Sequence, residues 1–403
     1  MKLAYIMSRF PKFSETFVLL EMLGLKNRGV EIQAFPLLRE KQTVVHDEVQ
    51  EIMPHVTYAP LLSPRVILAN LWCLIRHPAL YVRTLAEILR GTAGSLNFFL
   101  GGLGIFPKAV FFAQQAQQAD VTHVHAHFAT HPTVAALVVH RLTGIPFSFT
   151  AHGSDLHVEQ KMLEKKIAAA KFAVMISKYN LEFALEHCGE KYRDKLHIVH
   201  CGICPDTFIP RDESIKDERR PATRIICVAT FREVKGHTYL VEACRHLAAR
   251  KLDFSCHLIG DGPLRRAVNV KVAECGLQDQ VILRGAMDRA AIAREMQQAD
   301  IFVLPSVLAS RGNREGIPVV LMEAMATGLP VVASRLSGIP ERVKSGETGI
   351  LVPPRDSQAI ADALETLIRD AELRGRMGRK GRQKVIAEFD LEKNLDQLIT
   401  LFQ

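Results

Sequence analysis

Nowhere in the 403 residues do two aspartates stand two positions apart. That absence excludes a DxD pair of carboxylates bridging a divalent metal to a diphosphate. The turn after the first predicted strand, SRFPKFSETF, has no GxGxxG, which counts against a dinucleotide-dependent dehydrogenase. A secretory signal is also missing from the pattern. The apolar stretch of MKLAYIMSRF is short, Arg9 and Lys12 follow at once, and the segment reads as a β-strand. A long uncharged run, Gly91 to Pro107, holds five glycines with Thr92, Ser95 and Asn97. It falls short of the ~20 mostly apolar residues a membrane-spanning helix needs, so no such helix is expected.

Net charge is +8 and pI about 9.1. A basic balance fits anionic partners: nucleotides, phosphorylated lipids, membrane surfaces or nucleic acid. Length suits two or three domains, and 48% hydrophobic with 23% charged residues is ordinary for a soluble protein. Eight scattered cysteines without a secretory signal read as reduced, mostly buried thiols of a cytoplasmic protein. His197, His200, Cys201 and Cys204 in HIVHCGIC offer four local zinc ligands. Against zinc, HIV reads as a short strand that sends neighbouring side chains to opposite faces, leaving a structural loop with incidental thiols.

Short apolar runs alternate with helical stretches. Strands are expected at Leu3 to Met7, Glu31 to Pro36, Thr122 to Ala126, Phe147 to Ala151 and Phe172 to Ser177. Ser14 is placed to cap a helix running to Arg28. PDTFIPRDESIKDERRPAT, Pro205 to Thr223, is polar and proline-bearing and reads as a linker. A second series follows at Ile225 to Ala229, Ser255 to Ile259, Val281 to Arg284, Ile301 to Leu304 and Pro330 to Ala333. The expectation is α/β: two doubly wound Rossmann-like domains facing across a cleft, with ligands at the carboxyl ends of the strands. The boundaries expected are 1–204, with a helical insertion at about 60–112, a linker at 205–222 and a second domain at 223–385.

Acids are scarce in that insertion. Between Pro64 and Val110, Arg65, Arg76, Arg83, Arg90 and Lys108 stand against Glu87 alone. Arg76, Arg83 and Arg90 are seven apart and share a face wherever the helix is regular, although Pro78 splits it. Such a helix can lie on an anionic membrane, or simply carry a solvated arginine face.

EGIPVVLMEAMATG places Glu315 and Glu323 with seven residues between them. Pro318 suits a first helical turn and biases Ile317 towards extended backbone, so a helix is expected from about Pro318. Glu315 then lies in the loop before it and Glu323 about one and a half turns in. The N–H groups of Gly316, Ile317 and Val319 at that helix end favour an anion such as a diphosphate. Ordinary surface ion pairs are the alternative for the two acids.

With CVATFREVKGHTYLVEAC, LIGDGPLRRAV, ADIFVLPS, SGIPE and GETGILVPP in one half, and HVHAHFA, FSFTAHGSDL and MISKYN in the other, the chain resembles the retaining family 4 glycosyltransferases. Their fold is GT-B. SRFPKFSETF combined with EGIPVVLMEAMA looks most like the bacterial exopolysaccharide, colanic-acid-type subgroup. The resemblance implies a nucleotide-diphosphate sugar donor and a glycan or lipid-linked saccharide acceptor. It implies no cofactor and no nucleic-acid partner, and a C-terminal helix within 386–403 crossing back to the first domain. The expectation of a cytoplasmic location rests on the missing secretory signal, and that of contact with the inner membrane surface on the basic insertion. By position, Glu315 would touch the donor sugar, Glu323 the ribose, and Lys235 the diphosphate. The family's arginine five residues before that lysine is Thr230 here, and Arg232 is the substitute at hand. Gly260 and Gly262 would lie beside the base, or simply form a tight strand-to-helix turn, and Arg284 near where the base is read.

His125 and His127 end one strand of the first half and His152 another, followed by Asp155. The resemblance brings His152 to the donor sugar and uses Asp155 to place the acceptor; His127 is grouped with them. Ser14 and Thr16, at a helix start near Arg9 and Lys12, offer an acceptor-phosphate site, with simple capping by Ser14 as the alternative. With no metal expected, Lys235 and helix ends would handle the diphosphate. Transfer with retention, by front-face substitution, is the expected chemistry. A nucleotide-sugar epimerase or phosphorylase on the same fold, and a non-catalytic binding protein, stay open at this point.

Overall fold

The computed structural model describes residues 1–12, 15–40, 48–211 and 222–403. The chain divides into two compact units: residues 1–200 with 392–403, and residues 201–391. Ser14 and most of the expected linker lie outside the described residues.

The first unit is a six-stranded sheet. Its strands are β1 (Lys2–Phe10), β2 (Glu31–Arg39), β3 (His123–His127), β4 (Phe147–Ala151), β5 (Phe172–Met175) and β6 (Leu196–Ile198). They run in the order β2-β1-β3-β4-β5-β6, every pair parallel. Every residue of β3 and β4 is buried, which is what a parallel sheet covered on both faces requires. The strand order reverses between β1 and β3, so the carboxyl ends of those two strands flank the crevice where such sheets bind ligands.

Helices α1 (Thr16–Asn27) and α2 (Val49–Ile52) precede the insertion. The insertion is three helices, α3 (Pro64–Arg76), α4 (Pro78–Thr92) and α5 (Leu96–Gln118). Ser63 caps α3 and Ser95 caps α5 with side-chain oxygens. Pro78 opens α4, as its missing N–H permits. Arg76 therefore ends one helix while Arg83 and Arg90 sit on the next, the split expected at Pro78. Pro107 lies inside α5 without ending it. The helix runs on to Gln118 and is long and apolar enough to cross a membrane, against the expectation drawn from the uncharged run. Much of it faces protein: Phe98, Phe106 and Phe112 are among its buried residues.

Helices α6 (His131–Thr143), α7 (Ser154–His157), α8 (Leu163–Ala169) and α9 (Lys178–Cys188) complete the first series. The second unit repeats the plan with β7 (Thr223–Val228), α10 (His237–Ala249), β8 (Phe254–Ile259), α11 (Arg265–Glu274), β9 (Val281–Gly285), α12 (Arg289–Gln297) and β10 (Ile301–Leu304). It continues through α13 (Val319–Ala326), β11 (Val331–Ser334), α14 (Ile339–Arg342), β12 (Gly349–Val352), α15 (Ser357–Arg369) and α16 (Ala371–Glu388). Its sheet order is β12-β11-β10-β7-β8-β9, so the reversal falls between β10 and β7. The short β12, inside GETGILVPP, was not expected as a strand.

The last helix, α17 (Leu391–Phe402), belongs to the first unit from Glu392 onwards. Its Phe402 ring lies 5.3 Å from His125 and 5.2 Å from His123. Leu395 fills the space over Gly24, and Arg28 bonds Asp396 at 3.1 Å.

Candidate functional site

In the second unit, β7 and β10 pair only at Ile301↔Ile225 and Phe302↔Ile226. Two residues of each strand run on beyond the last pair, so the strands part at their carboxyl ends. The loops that leave them are tied together. The Val307 N–H donates to the Val234 carbonyl at 2.9 Å. Glu233 accepts from the Ser310 N–H at 3.2 Å and from its hydroxyl at 3.0 Å. Gly236, at φ +66°, sits so close that an added Cβ would fall 2.0 Å from the Pro305 oxygen. These ties bring Lys235 Nζ to 2.8 Å from Glu315 Oε2, each side chain only 15% exposed. Two of the three residues expected to act in chemistry therefore meet at the topological switch point.

Helix α13 begins beside this pair. Its N-cap is Pro318, one residue outside the helix rather than in its first turn as the sequence reading placed it, and Val319 is the first helical residue. No side-chain cap and no acid in the first turn neutralise that end, so its free N–H groups keep their positive field. Gly316 and Ile317 lie in the segment leading into it.

Glu323 points inside. It is 9% exposed, and burial pushes its carboxyl up to about 7, with Arg289 pulling the other way. Arg289 Nε stands 4.0 Å from Glu323 Oε1, too far for a hydrogen bond. The guanidinium lies over the Phe208 ring at 5.3 Å, yet its Nε and Nη2 are buried without a hydrogen-bond partner. A buried acid and a buried base, both with unused capacity, are a place where hydroxyls of a ligand would complete the bonding. Arg289 has no mark in sequence, because its burial comes from packing against Phe208.

The other donor-side candidates divide. Gly260 and Gly262, at φ +140° and +155°, are fixed by backbone: added Cβ atoms would lie 2.1 Å from the Ala229 oxygen and 2.8 Å from the Phe231 nitrogen. The tight-turn reading accounts for both, and their loop stands beside the one that carries Arg232 and Lys235. Arg232 is exposed. Arg284 is the last residue but one of β9 and is engaged by Glu295 at 3.1 Å.

In the first unit, His127 closes β3 and His152 follows β4. His127 Nδ1 and His152 Nε2 are 3.0 Å apart. On its other side His127 Nε2 lies 3.1 Å from Glu21 Oε1, which also accepts from the Tyr5 hydroxyl at 2.8 Å. Glu21 can only accept there, so His127 carries its proton on Nε2, and its Nδ1 accepts from the Nε2–H of His152. Burial, then His127, pushes His152 well below the ordinary histidine value, so it is neutral at pH 7. Phe17 and Phe128 lie 4.6 and 4.7 Å from its ring. Glu21 was missed in sequence. Its only signal is its place four residues after Phe17, on the same face of α1.

His125 does not join this pair. Its two nitrogens bond Ser148 at 2.8 Å and Thr150 at 2.9 Å, the satisfied core histidine that buried strands favour. Glu21, His125 and His127 form the one metal-like group of three ligands among the described residues, which does not include the HIVHCGIC set. Its ligand atoms are already bonded as described.

Asp155 takes a different place from the one implied for it. It is buried, and its carboxylate accepts from the N–H of Ala129 at 2.8 Å, of His152 at 3.0 Å and of Gly153 at 2.6 Å. Burial raises its pKa and these bonds oppose the rise. It braces the turns after β3 and β4 and so fixes His152; it has no oxygen set aside for an acceptor. Thr16 is the first residue of α1, and nearby Glu15, raised by burial, is paired with Lys12.

Two family models cover most of the chain: Glycosyltransferase Family 4 over residues 14–207 and Glycosyl transferases group 1 over 209–384. The amylovoran biosynthesis glycosyltransferase AmsK of Erwinia amylovora is 30% identical over 376 residues, 90% of each chain. The putative colanic acid biosynthesis glycosyltransferase WcaL of Salmonella typhimurium is 36% identical over 211 residues. That match spans about half the length of WcaL, 51%, and 52% of this chain. Among solved structures, the Anabaena protein Alr3699/HepE in complex with UDP-glucose superposes with a TM-score of 0.73. It covers 99% of this chain and 98% of that one at 15% identity, a likeness of fold.

Proposed function

The chain belongs to glycosyltransferase family 4, with two doubly wound units of the GT-B fold class, and from that premise we propose what it transfers and how. It moves a sugar from a nucleotide-diphosphate donor to a glycan or lipid-linked saccharide acceptor, with retention and without a metal, in the assembly of a bacterial surface polysaccharide. The observation that carries the donor half is the Lys235–Glu315 pair at the β10/β7 switch point beside the bare end of α13. Support for the donor class comes from HepE, whose solved complex holds UDP-glucose. Support for the product class comes from the names of AmsK and WcaL.

In this reading the arriving donor divides the ion pair. The Lys235 ammonium turns to the diphosphate and neutralises charge as it grows on the leaving group. The α13 N–H groups take the remaining phosphate oxygens. Glu315, released, accepts from hydroxyls of the donor sugar. Glu323 and Arg289 take the ribose. The bond from the anomeric carbon to the phosphate oxygen breaks as the acceptor oxygen closes on the same face, through an oxocarbenium-like state, and the acceptor hydroxyl gives its proton to the departing phosphate oxygen. His152, neutral and braced by Asp155 and His127, contributes the sugar contact that the family resemblance gives it. Thr16, at the start of α1, remains the candidate for the acceptor side.

Titration calorimetry with UDP and with other nucleoside diphosphates tests the donor half. The expected result is binding of one nucleoside diphosphate by the wild type without added metal, weakened about tenfold or more in Lys235→Ala. Equal binding by both proteins would remove Lys235 from the site.

A further inference from the structure

Helix α3 of the insertion in the first unit turns its large apolar side chains the wrong way for a surface in water. Helix α3 buries Val66, Ala69 and Cys73, small or medium residues spaced three and four apart. It leaves Ile67, Leu68, Leu71, Trp72 and Ile75 outside, with Trp72 50% and Ile75 80% exposed. The loop before it adds Leu62 at 84%, and α5 adds Leu96 at 75% with Leu100 and Leu103. Isolated exposed leucines are ordinary, but a contiguous apolar helix face on a soluble domain marks a surface made to be covered.

The charge around this face says what covers it. Arg65 and Arg76 begin and end the exposed length of α3, and Arg83 and Arg90 are exposed on α4. The only acid between residues 60 and 118 is Glu87, and Arg141 holds both its oxygens at 3.0 and 3.1 Å. The face is therefore apolar with an unopposed cationic rim. An open groove of about 500 Å3 between α3 and α5 combines the two characters, with Arg65 and Gln114 beside Leu68, Trp72 and Phe111. A second protein surface would need acids matched to these arginines one by one. A bilayer with anionic head groups offers that charge everywhere, with acyl chains beneath it for the apolar side chains.

We infer that the exposed face of α3, with the adjoining ends of α4 and α5, docks on a bilayer carrying anionic phospholipids, with Trp72 entering at head-group depth. This rests on the insertion alone and holds whichever sugar the enzyme transfers.

Trp72 is the only tryptophan in the chain, so its fluorescence reports the contact directly in the full-length protein. Vesicles of phosphatidylcholine mixed with phosphatidylglycerol should shift its emission to shorter wavelength, and brominated acyl chains should quench it. Phosphatidylcholine alone should do neither. Ile75→Asp and Leu68→Asp change exposed side chains and should keep the wild-type circular dichroism while losing the shift. Combined Arg76→Glu and Arg83→Glu should lower vesicle binding at least tenfold. The inference is overturned by an unchanged emission on anionic vesicles. It is equally overturned by equal binding to neutral ones, or by a shift that appears without lipid as concentration rises and tracks a dimer in sedimentation.

Discussion

Lys235 and Glu315 neutralise each other at 2.8 Å, so replacing either one leaves a partly buried charge alone. Lys235→Ala should lower kcat by about 10²–10³, the cost of removing one stabiliser of transition-state charge, and steady-state rates against the wild type check it. Glu323 carries the pH dependence. Its carboxyl is raised to about 7 in the fold, whereas the unfolded chain ionises it in the ordinary carboxylate range. The folded state thus holds the proton more tightly. Its contribution to stability is present at low pH and is lost as pH rises towards 7, by a total of about 3 kcal/mol at roughly 1.4 kcal/mol per unit. Denaturant melts of donor-free protein should show that slope, and Glu323→Gln should flatten it. If Glu323 takes the proposed ribose role, in which its carboxylate accepts from hydroxyls, donor binding should run the opposite way and weaken as pH falls below 7. At this scale the placement of Glu315, Glu323 and Lys235 was legible in the sequence, because each stands close to a glycine or a helix end. It was silent where packing creates the chemistry. Arg289 gains its meaning from Phe208, and Glu21 from His127, brought to it across 106 positions. Asp155 was legible as a residue of the turn but not as the brace of it.

Helices and strands were read most accurately where both ends are punctuated. Phe147–Ala151 and Ile301–Leu304 are found at their expected bounds because apolar runs there stop at polar or proline-bearing turns. Strands β1 and β2 run past theirs, since Arg9 and Arg39 continue the ladder at an edge where charges can leave the sheet. Proline is an uneven guide: Pro78 splits the insertion as expected, Pro318 caps a helix instead of standing in its first turn, and Pro107 is carried inside α5, where Asn70 bonds its carbonyl at 2.9 Å. The helix that presents Glu323 depends on a close approach. In α16, an added Cβ at Gly378 would lie 1.9 Å from the Gly328 carbonyl at the end of α13. Backbone cannot yield as a side chain can, so Gly378→Ala should cost about 1–3 kcal/mol. Thermal melting should register the loss, and donor affinity should fall with it as α13 shifts. An unchanged melting temperature would show that α13 is not held there.

Each unit of the molecule supplies a sheet whose order reverses once, and Lys235, Glu315 and His127 stand at those two reversals. The alternation of strands and helices made that plan readable. The assignment of α17 to the first unit was not readable from pattern, because its apolar stripe matches any sheet face equally well. Phe402, Leu395 and Leu398 are buried there, close to the strand that carries His125 and His127. Removing residues 392–403 should therefore speed amide exchange in β3 and β4 and leave β7 to β10 protected, by hydrogen-exchange mass spectrometry. The central claim concerns the whole chain: it transfers sugar from a nucleotide-diphosphate donor through Glu315, without a metal. Its most direct test is transfer of radiolabelled sugar from a panel of nucleotide-diphosphate sugars to a lipid extract, by wild type and Glu315→Gln, each with a chelator present. The account predicts labelled product from one donor with the wild type, undiminished by the chelator, and at least a hundredfold less with a Glu315→Gln protein that melts normally. Full transfer by Glu315→Gln, or none by the wild type until metal is restored, would contradict it.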